Sequence, residues 1–203
     1  MKGLYVTDRR AMSDARFEGV LQSLTEAPLL TVQLREKGTP DRQTLAWAAA
    51  ARRTLGSGVA LYVNRRFDLA LAAGAEGVHL PSDGLPLARV RANTPRGFRV
   101  GISTHSAAEA EEAISGGADL VVIGPLFSTP SKAALGEPLG PEALADLPPA
   151  QEHRSDVFAI GGISEENLDL LEPYRNRISG VAGIRLFQDA LDPGAVARRI
   201  AGL

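Results

Sequence analysis

Residues 98–124 read FRVGISTHSAAEAEEAISGGADLVVIG, and this stretch decides the fold. It opens on a short apolar run, Phe98 to Ile102, and closes on another, Leu120 to Gly124. Runs of this kind, largely apolar and without strict alternation, suit strands covered on both faces, as in parallel sheets. Between them Ser106 offers a hydroxyl cap, and Glu109, Glu111 and Glu112 favour a helix start. Ser106 to Ser115 therefore reads as a helix, closed by Gly116-Gly117.

The same strand-helix unit recurs on both sides. Further strands are expected at Gly3 to Thr7, Leu29 to Leu34, Val59 to Val63, Gly77 to Leu80, Val157 to Gly161 and Gly180 to Ile184. Helical patterns fall at Ala11 to Leu24, Pro40 to Leu55, Phe67 to Ala73, Pro86 to Ala92, Pro141 to Leu147, Ser164 to Leu171 and Pro193 to Ala201. Ser13 and Asp14 are start signals for the first, Pro40 suits a first turn, and Gly74 closes the third. Eight such units occupy the 203 residues with nothing left over. The simplest closed solution is α/β, a single (β/α)₈ TIM barrel forming one domain over residues 1–203. An open doubly wound sheet is the competitor. It usually shows a G-x-G-x-x-G turn after its first strand, which this sequence lacks.

The net charge of −2 makes the whole molecule no electrostatic trap for nucleic acid or an anionic membrane, so any grip on anions must be local. There are no cysteines, which excludes disulfides, thiolate metal sites and cysteine nucleophiles. Met1 to Thr7 is too short to be a signal-peptide core, and no apolar run has bilayer-spanning length. The expectation is a cytoplasmic enzyme with neither nucleic-acid nor membrane partners.

In a barrel, chemistry gathers where strands end and loops begin. Polar residues recur there. Gln33, Arg35 and Lys37 follow strand two, and Asn64, Arg65 and Arg66 follow strand three. Ser103, Thr104 and His105 follow strand five, and Ser128, Thr129, Ser131 and Lys132 follow strand six. Any one cation reads as ordinary surface charge. Arg35, Lys37, Arg65, Arg66 and Lys132 together, with Asn64, read as a mouth for phosphate or diphosphate. Gly161-Gly162 lets backbone N–H groups approach an anion, and Ser164 is expected to cap a helix facing the same spot. A tight turn is the alternative reading of that pair. His105 is the histidine placed for proton transfer, while His79 reads as a core residue and His153 as solvated. Of the carboxylates, Asp83 and Asp8 fall near the mouth, without forming a clear metal-binding pair.

These residues together resemble the family of thiamine-phosphate synthases and their close relatives, the thiazole tautomerases of the TenI type. The matching pieces are GLYVTD (3–8), VQLREK (32–37), VN-x-R-x-DLALAAGA-x-GVHL (63–80), GISTHS (101–106), GADLVVIGPLFSTPSK (117–132) followed by PLG, and AIGGI (159–163). For a synthase, the resemblance implies that Gln33, Arg35, Lys37 and Asn64 hold a pyrimidine diphosphate, with Ser103 and Lys132 as catalytic residues beside it, Lys132 stabilising the diphosphate as it leaves. It implies that Thr129, Ser131 and Gly162, with the Ile184 region, take a thiazole phosphate. Diphosphate would leave the hydroxymethylpyrimidine carbon, and the thiazole nitrogen would capture that carbon. The resemblance further implies phosphorylated thiamine precursors as partners and a homodimer.

The sequence departs from the synthase pattern where magnesium binds. The family's Asn-Asp-Arg reads Asn64-Arg65-Arg66, and its H-L-G-Q-E-D reads His79-Leu80-Pro81-Ser82-Asp83-Gly84. Asp83 is one residue early and could serve magnesium only if the loop shifts. Arg185 stands where a serine is expected, able to pair with the thiazole phosphate or to fill its space. The tautomerase branch resembles the chain at these same points and uses a histidine matching His105, whereas QLREK and STPSK look more like the synthases. The expectation leans to a tautomerase-like isomerase with His105 as acid-base. A synthase, for which magnesium is the implied cofactor, and a non-catalytic binding or regulatory relative are the alternatives.

Overall fold

The computed structural model describes residues 1–129 and 137–203. Its strands are β1 (Lys2–Val6), β2 (Leu30–Leu34), β3 (Ala60–Asn64), β4 (Gly77–Leu80), β5 (Arg99–Thr104), β6 (Leu120–Ile123), β7 (Asp156–Ile160) and β8 (Gly180–Gly183). They close into a barrel in chain order. All pairs are parallel, and β8 returns to β1. The closed (β/α)₈ solution is therefore the one adopted, and each expected strand lies within two residues of its place.

The helices are α1 (Asp14–Ser23), α2 (Asp41–Leu55), α3 (Phe67–Ala72), α4 (Leu87–Arg91), α5 (Ala107–Ser115), α6 (Arg185–Gln188) and α7 (Pro193–Gly202), among the described residues. Their starts follow local chemistry. Ser13 Oγ accepts from Arg16 N at 3.2 Å, Ser106 Oγ from Glu109 N at 3.1 Å, and Asp192 Oδ1 from Ala195 N at 3.0 Å. Each satisfies an amide that has no partner inside its own helix.

Side chains alternate across each strand, so the register sorts residues between two cores. The larger lies between strands and helices and includes Tyr5, Val32, Val63, Val121 and Phe187. The smaller fills the barrel and includes Leu4, Val6, Tyr62, Val122 and Phe158. Val6 pairs with Gln33, Gln33 with Tyr62, Asn64 with His79, His79 with Gly101, and Ser103 with Val122. Gln33, Asn64, His79 and Ser103 thus share the parity of the inner core at the carboxyl end. The barrel interior is apolar below and polar at the mouth.

Two helical expectations are corrected. Pro141–Asp146 is a 3₁₀ segment, and no helix starts at Ser164: a turn leads to a 3₁₀ segment over Leu168–Tyr174. Asn167 holds that turn, accepting from Ser164 N at 2.9 Å and donating to Gly162 O at 2.9 Å. Downstream, Pro173 removes an N–H that an α-helix would need. His153, read as solvated, is half-buried with both ring nitrogens covered and without a protein hydrogen-bond partner.

Candidate active site

At the mouth of the inner barrel, two polar pairs bridge neighbouring strands. Gln33 Nε2 donates to Asn64 Oδ1 at 3.2 Å, from β2 to β3. His79 Nε2 lies 2.8 Å from Ser103 Oγ, from β4 to β5. Gln33 and His79 are 3% and 2% exposed, a burial that polar groups tolerate when they are bonded. His79, read from sequence as a core residue, therefore belongs with the candidate Ser103. The signal was its pairing with Asn64, which only the register reveals. Gly101 makes room for it: a Cβ there would stand 2.7 Å from His79 Nδ1.

The cations after β1, β2 and β3 form one electrostatic group. The Lys37 ammonium is held below its ordinary value, first by Arg35, then by burial, then by Arg10 and Arg65. Burial is the first cause lowering the Arg35 guanidinium, countered by Asp8 and Glu36. Arg10 was not among the sequence candidates. It grips Asp8 through two bonds, at 2.8 and 2.6 Å. Arg66, expected at the mouth, turns aside to Asp41 and Asp68 at the starts of α2 and α3.

The loop that carries these cations is anchored from behind. Glu36 accepts from Thr7 Oγ1 and from Arg9 N. The Arg9 guanidinium lies 4.2 Å from the Phe17 ring centroid and 4.1 Å from that of Trp47. Gln188 of α6 accepts from Asp8 N at 3.4 Å and donates to Asp8 O at 3.0 Å. The end of β1 is thus tied to the helix after β8.

A cavity of about 460 Å³ opens beside β7 and β8, its lining including Thr129, Gly161, Gly162, Ile184 and Arg185. Gly161 and Gly162 have φ of +102° and +65°. A Cβ at Gly161 would stand 2.5 Å from Pro125 Cα, and at Gly162 2.6 Å from Ser128 O. The glycines are therefore demanded by the loop after β6 packing on them, as well as by turn conformation. Arg185 and Leu186, at the start of α6, line the same cavity, and the first amides of a helix have no carbonyl partner within it. Glu165, Glu166 and Asp189 line it too. Glu165 is paired with Arg199 at 3.1 Å, and Glu166 takes a bond from Ser164 Oγ that holds its carboxyl below the usual carboxylate range. Arg185 has no ion pair among the described residues. Ser131 and Lys132 lie outside the described residues.

His105 follows β5 at the mouth, one-third exposed. Its Nδ1 is 3.6 Å from Glu109 Oε2, and its backbone N donates to the same carboxylate at 2.8 Å.

The magnesium expected of a synthase does not fit the residues present. Asp83, the offered ligand, is exposed and held by Arg65 at 2.7 Å instead. Gly84 brings no donor and packs on Pro81. No cluster of three histidine or carboxylate side chains suited to a metal exists among the described residues.

The comparisons with known proteins agree in direction. The family model for thiamine monophosphate synthase matches residues 4–187. A Geobacter sulfurreducens relative is 40% identical over 199 residues, covering 98% of this chain and 92% of its own. The thiamine-phosphate synthase of Roseiflexus sp. (strain RS-1) is 35% identical over 96% of this chain and 81% of its own. Among solved structures, the thiamine phosphate pyrophosphorylase of Pyrococcus furiosus superposes with a TM-score of 0.83 at 26% identity, over 99% of this chain and 94% of that one. No helix among the described residues is long and apolar enough to cross a membrane.

Proposed function

The chain belongs to the thiamine monophosphate synthase family, and from that premise we propose that it joins hydroxymethylpyrimidine diphosphate to thiazole phosphate, giving thiamine phosphate and diphosphate. This reverses the lean toward a tautomerase, because the relatives are named as synthases. One observation carries the reading. A cation group after β1 to β3 and a glycine-walled cavity after β7 and β8 open on the same end of the barrel. Two such stations suit two phosphorylated substrates, whereas an isomerase needs only one.

The residues divide the work accordingly. Gln33 and Asn64, bonded to each other through one donor and one acceptor, still offer an amide oxygen and an amide NH₂ to an aminopyrimidine edge. Arg35 and Lys37 face the diphosphate, with Ser103 beside it, and Lys132 is assigned there by resemblance. Thr129, Gly161, Gly162, Ile184 and Arg185, with Ser131 by resemblance, hold the thiazole phosphate. The methylene C–O bond breaks and its electron pair leaves with diphosphate. The thiazole nitrogen lone pair then forms the new C–N bond. Charge grows on the departing oxygens, so fixed cations aimed there speed the step.

The tautomerase reading keeps one observation of its own, the His105–Glu109 contact at the mouth. Incubation with both synthase substrates, followed by chromatography, separates the two. Thiamine phosphate formation is expected, with His105→Ala losing little. Absence of that product, together with carboxythiazole phosphate isomerisation that His105→Ala reduces by about 10²-fold or more, would reverse the assignment.

A further inference from the structure

We propose that Arg65 takes the part of the divalent cation toward the diphosphate, with Asp83 as its positioning residue, so that the chain binds and releases diphosphate without magnesium. The inference rests on the synthase reading and deepens it.

The backbone is the first observation. Arg65 has φ of +64°, one of two non-glycine residues in that region among the described residues. Arg66 N donates to Asn64 O at 2.8 Å across it, closing a three-residue turn, and Arg65 N donates to His79 O at 2.8 Å. An L-residue adopts this conformation at a cost, and such costs collect at functional sites. The turn holds Arg65 directly after Asn64, the last residue of β3, at the carboxyl end of the barrel.

The side chain is the second. Arg65 Nη2 donates to Asp83 Oδ1 at 2.7 Å. A guanidinium has five N–H donors in a rigid fork, so Asp83 fixes its direction and leaves donors for phosphate oxygens. Both groups are more than half exposed and open to a ligand. The cation neighbours are the third observation. Arg10, Arg35 and Arg65 all act on Lys37, so their charges bear on one space. A divalent ion placed there would meet like charge, whereas a diphosphate meets complementary charge. When the C–O bond breaks, the electron pair stays on the departing diphosphate oxygen, and a guanidinium whose charge is constant with pH stabilises the negative charge that grows there through its N–H donors. No redox change and no further reactant enter.

Isothermal titration of the EDTA-treated full chain with inorganic diphosphate tests this. Wild type is expected to bind in EDTA, with no tightening when magnesium is added. Arg65→Gly, which tolerates the positive φ, is expected to weaken binding by at least about tenfold, and Arg65→Lys to restore part of the loss. Circular dichroism checks that each variant is folded. Diphosphate binding that requires magnesium in wild type, or equal binding by Arg65→Gly in EDTA, overturns the proposal. Condensation assays run in parallel keep the two readings apart. Thiamine phosphate formed only with magnesium sinks the Arg65 inference and leaves the synthase reading standing. Metal-free diphosphate binding without product under any condition sinks the synthase reading, and with it the catalytic meaning of Arg65.

Discussion

His79 Nε2 and Ser103 Oγ meet at 2.8 Å inside the barrel, joining β4 to β5 just below the mouth. The histidine is buried, so removing its partner leaves a ring nitrogen facing a site built for a hydroxyl. Ser103→Ala should cost about 1–3 kcal/mol. Urea unfolding is expected to show a lower midpoint with an unchanged slope. An unchanged midpoint would mean that the pair contributes nothing to holding the mouth.

Leu29 precedes β2 with φ of +53° and is 58% exposed. Its carbonyl accepts from Gly3 N, so the backbone is useful while the side chain is in the wrong residue class. Leu29→Asn keeps that bond and suits the left-handed region better. The variant should gain roughly 1 kcal/mol. A thermal midpoint at or below that of the parent would show that the leucine side chain contributes more contact than its exposure suggests.

The barrel was legible because apolar runs such as Leu120 to Gly124 are read by eye and need no partner. The mouth was legible only in outline. Arg35, Lys37 and Asn64 stand out as polar residues at strand ends, but sequence cannot say which way a side chain turns once a competitor exists. Arg66 turns to Asp41 and Asp68, and Asp83 turns to Arg65. Arg10 was missed because just past the end of β1 it reads as ordinary surface charge until its grip on Asp8 is seen. Ser164 failed as a cap because its hydroxyl is given to the Glu166 carboxylate two residues on. Each miss is a polar contact in which one of several nearby partners wins, a choice that neither strand nor helix periodicity encodes.

The acidic limb of stability should depend on Asp68. Its carboxyl is held below the ordinary value of 3.8, first through the hydrogen bonds from Arg66. A folded-state value below the unfolded one adds stability above the unfolded value. That stability is lost as pH falls through the folded value. Asp68→Asn should therefore be less stable than wild type at pH 7, and the gap should close as pH falls below 3.8 and through the lower folded-state value. Denaturant midpoints across pH 2–7 measure it, and a gap constant over that range would remove the ion pair as its cause.

Two stations at one mouth should separate in steady-state kinetics. Lys37 shares the cation group after β1 to β3, while Arg185 lines the cavity after β7 and β8. Arg185 has no ion pair among the described residues, although Glu165, Glu166 and Asp189 are near. Those carboxylates would repel a phosphate unless a cation stood with it, so pairing is favoured over a merely space-filling role. Arg185→Ser should raise KM for thiazole phosphate by about tenfold, the loss of one charge-assisted contact. Its KM for the pyrimidine diphosphate should stay within about twofold, since sites without shared partners act independently. Lys37→Ala should show the opposite split. A lowered thiazole KM in Arg185→Ser would instead mean that the guanidinium occupies the phosphate's own space. An equal rise in both KM values would mean that the two stations are one.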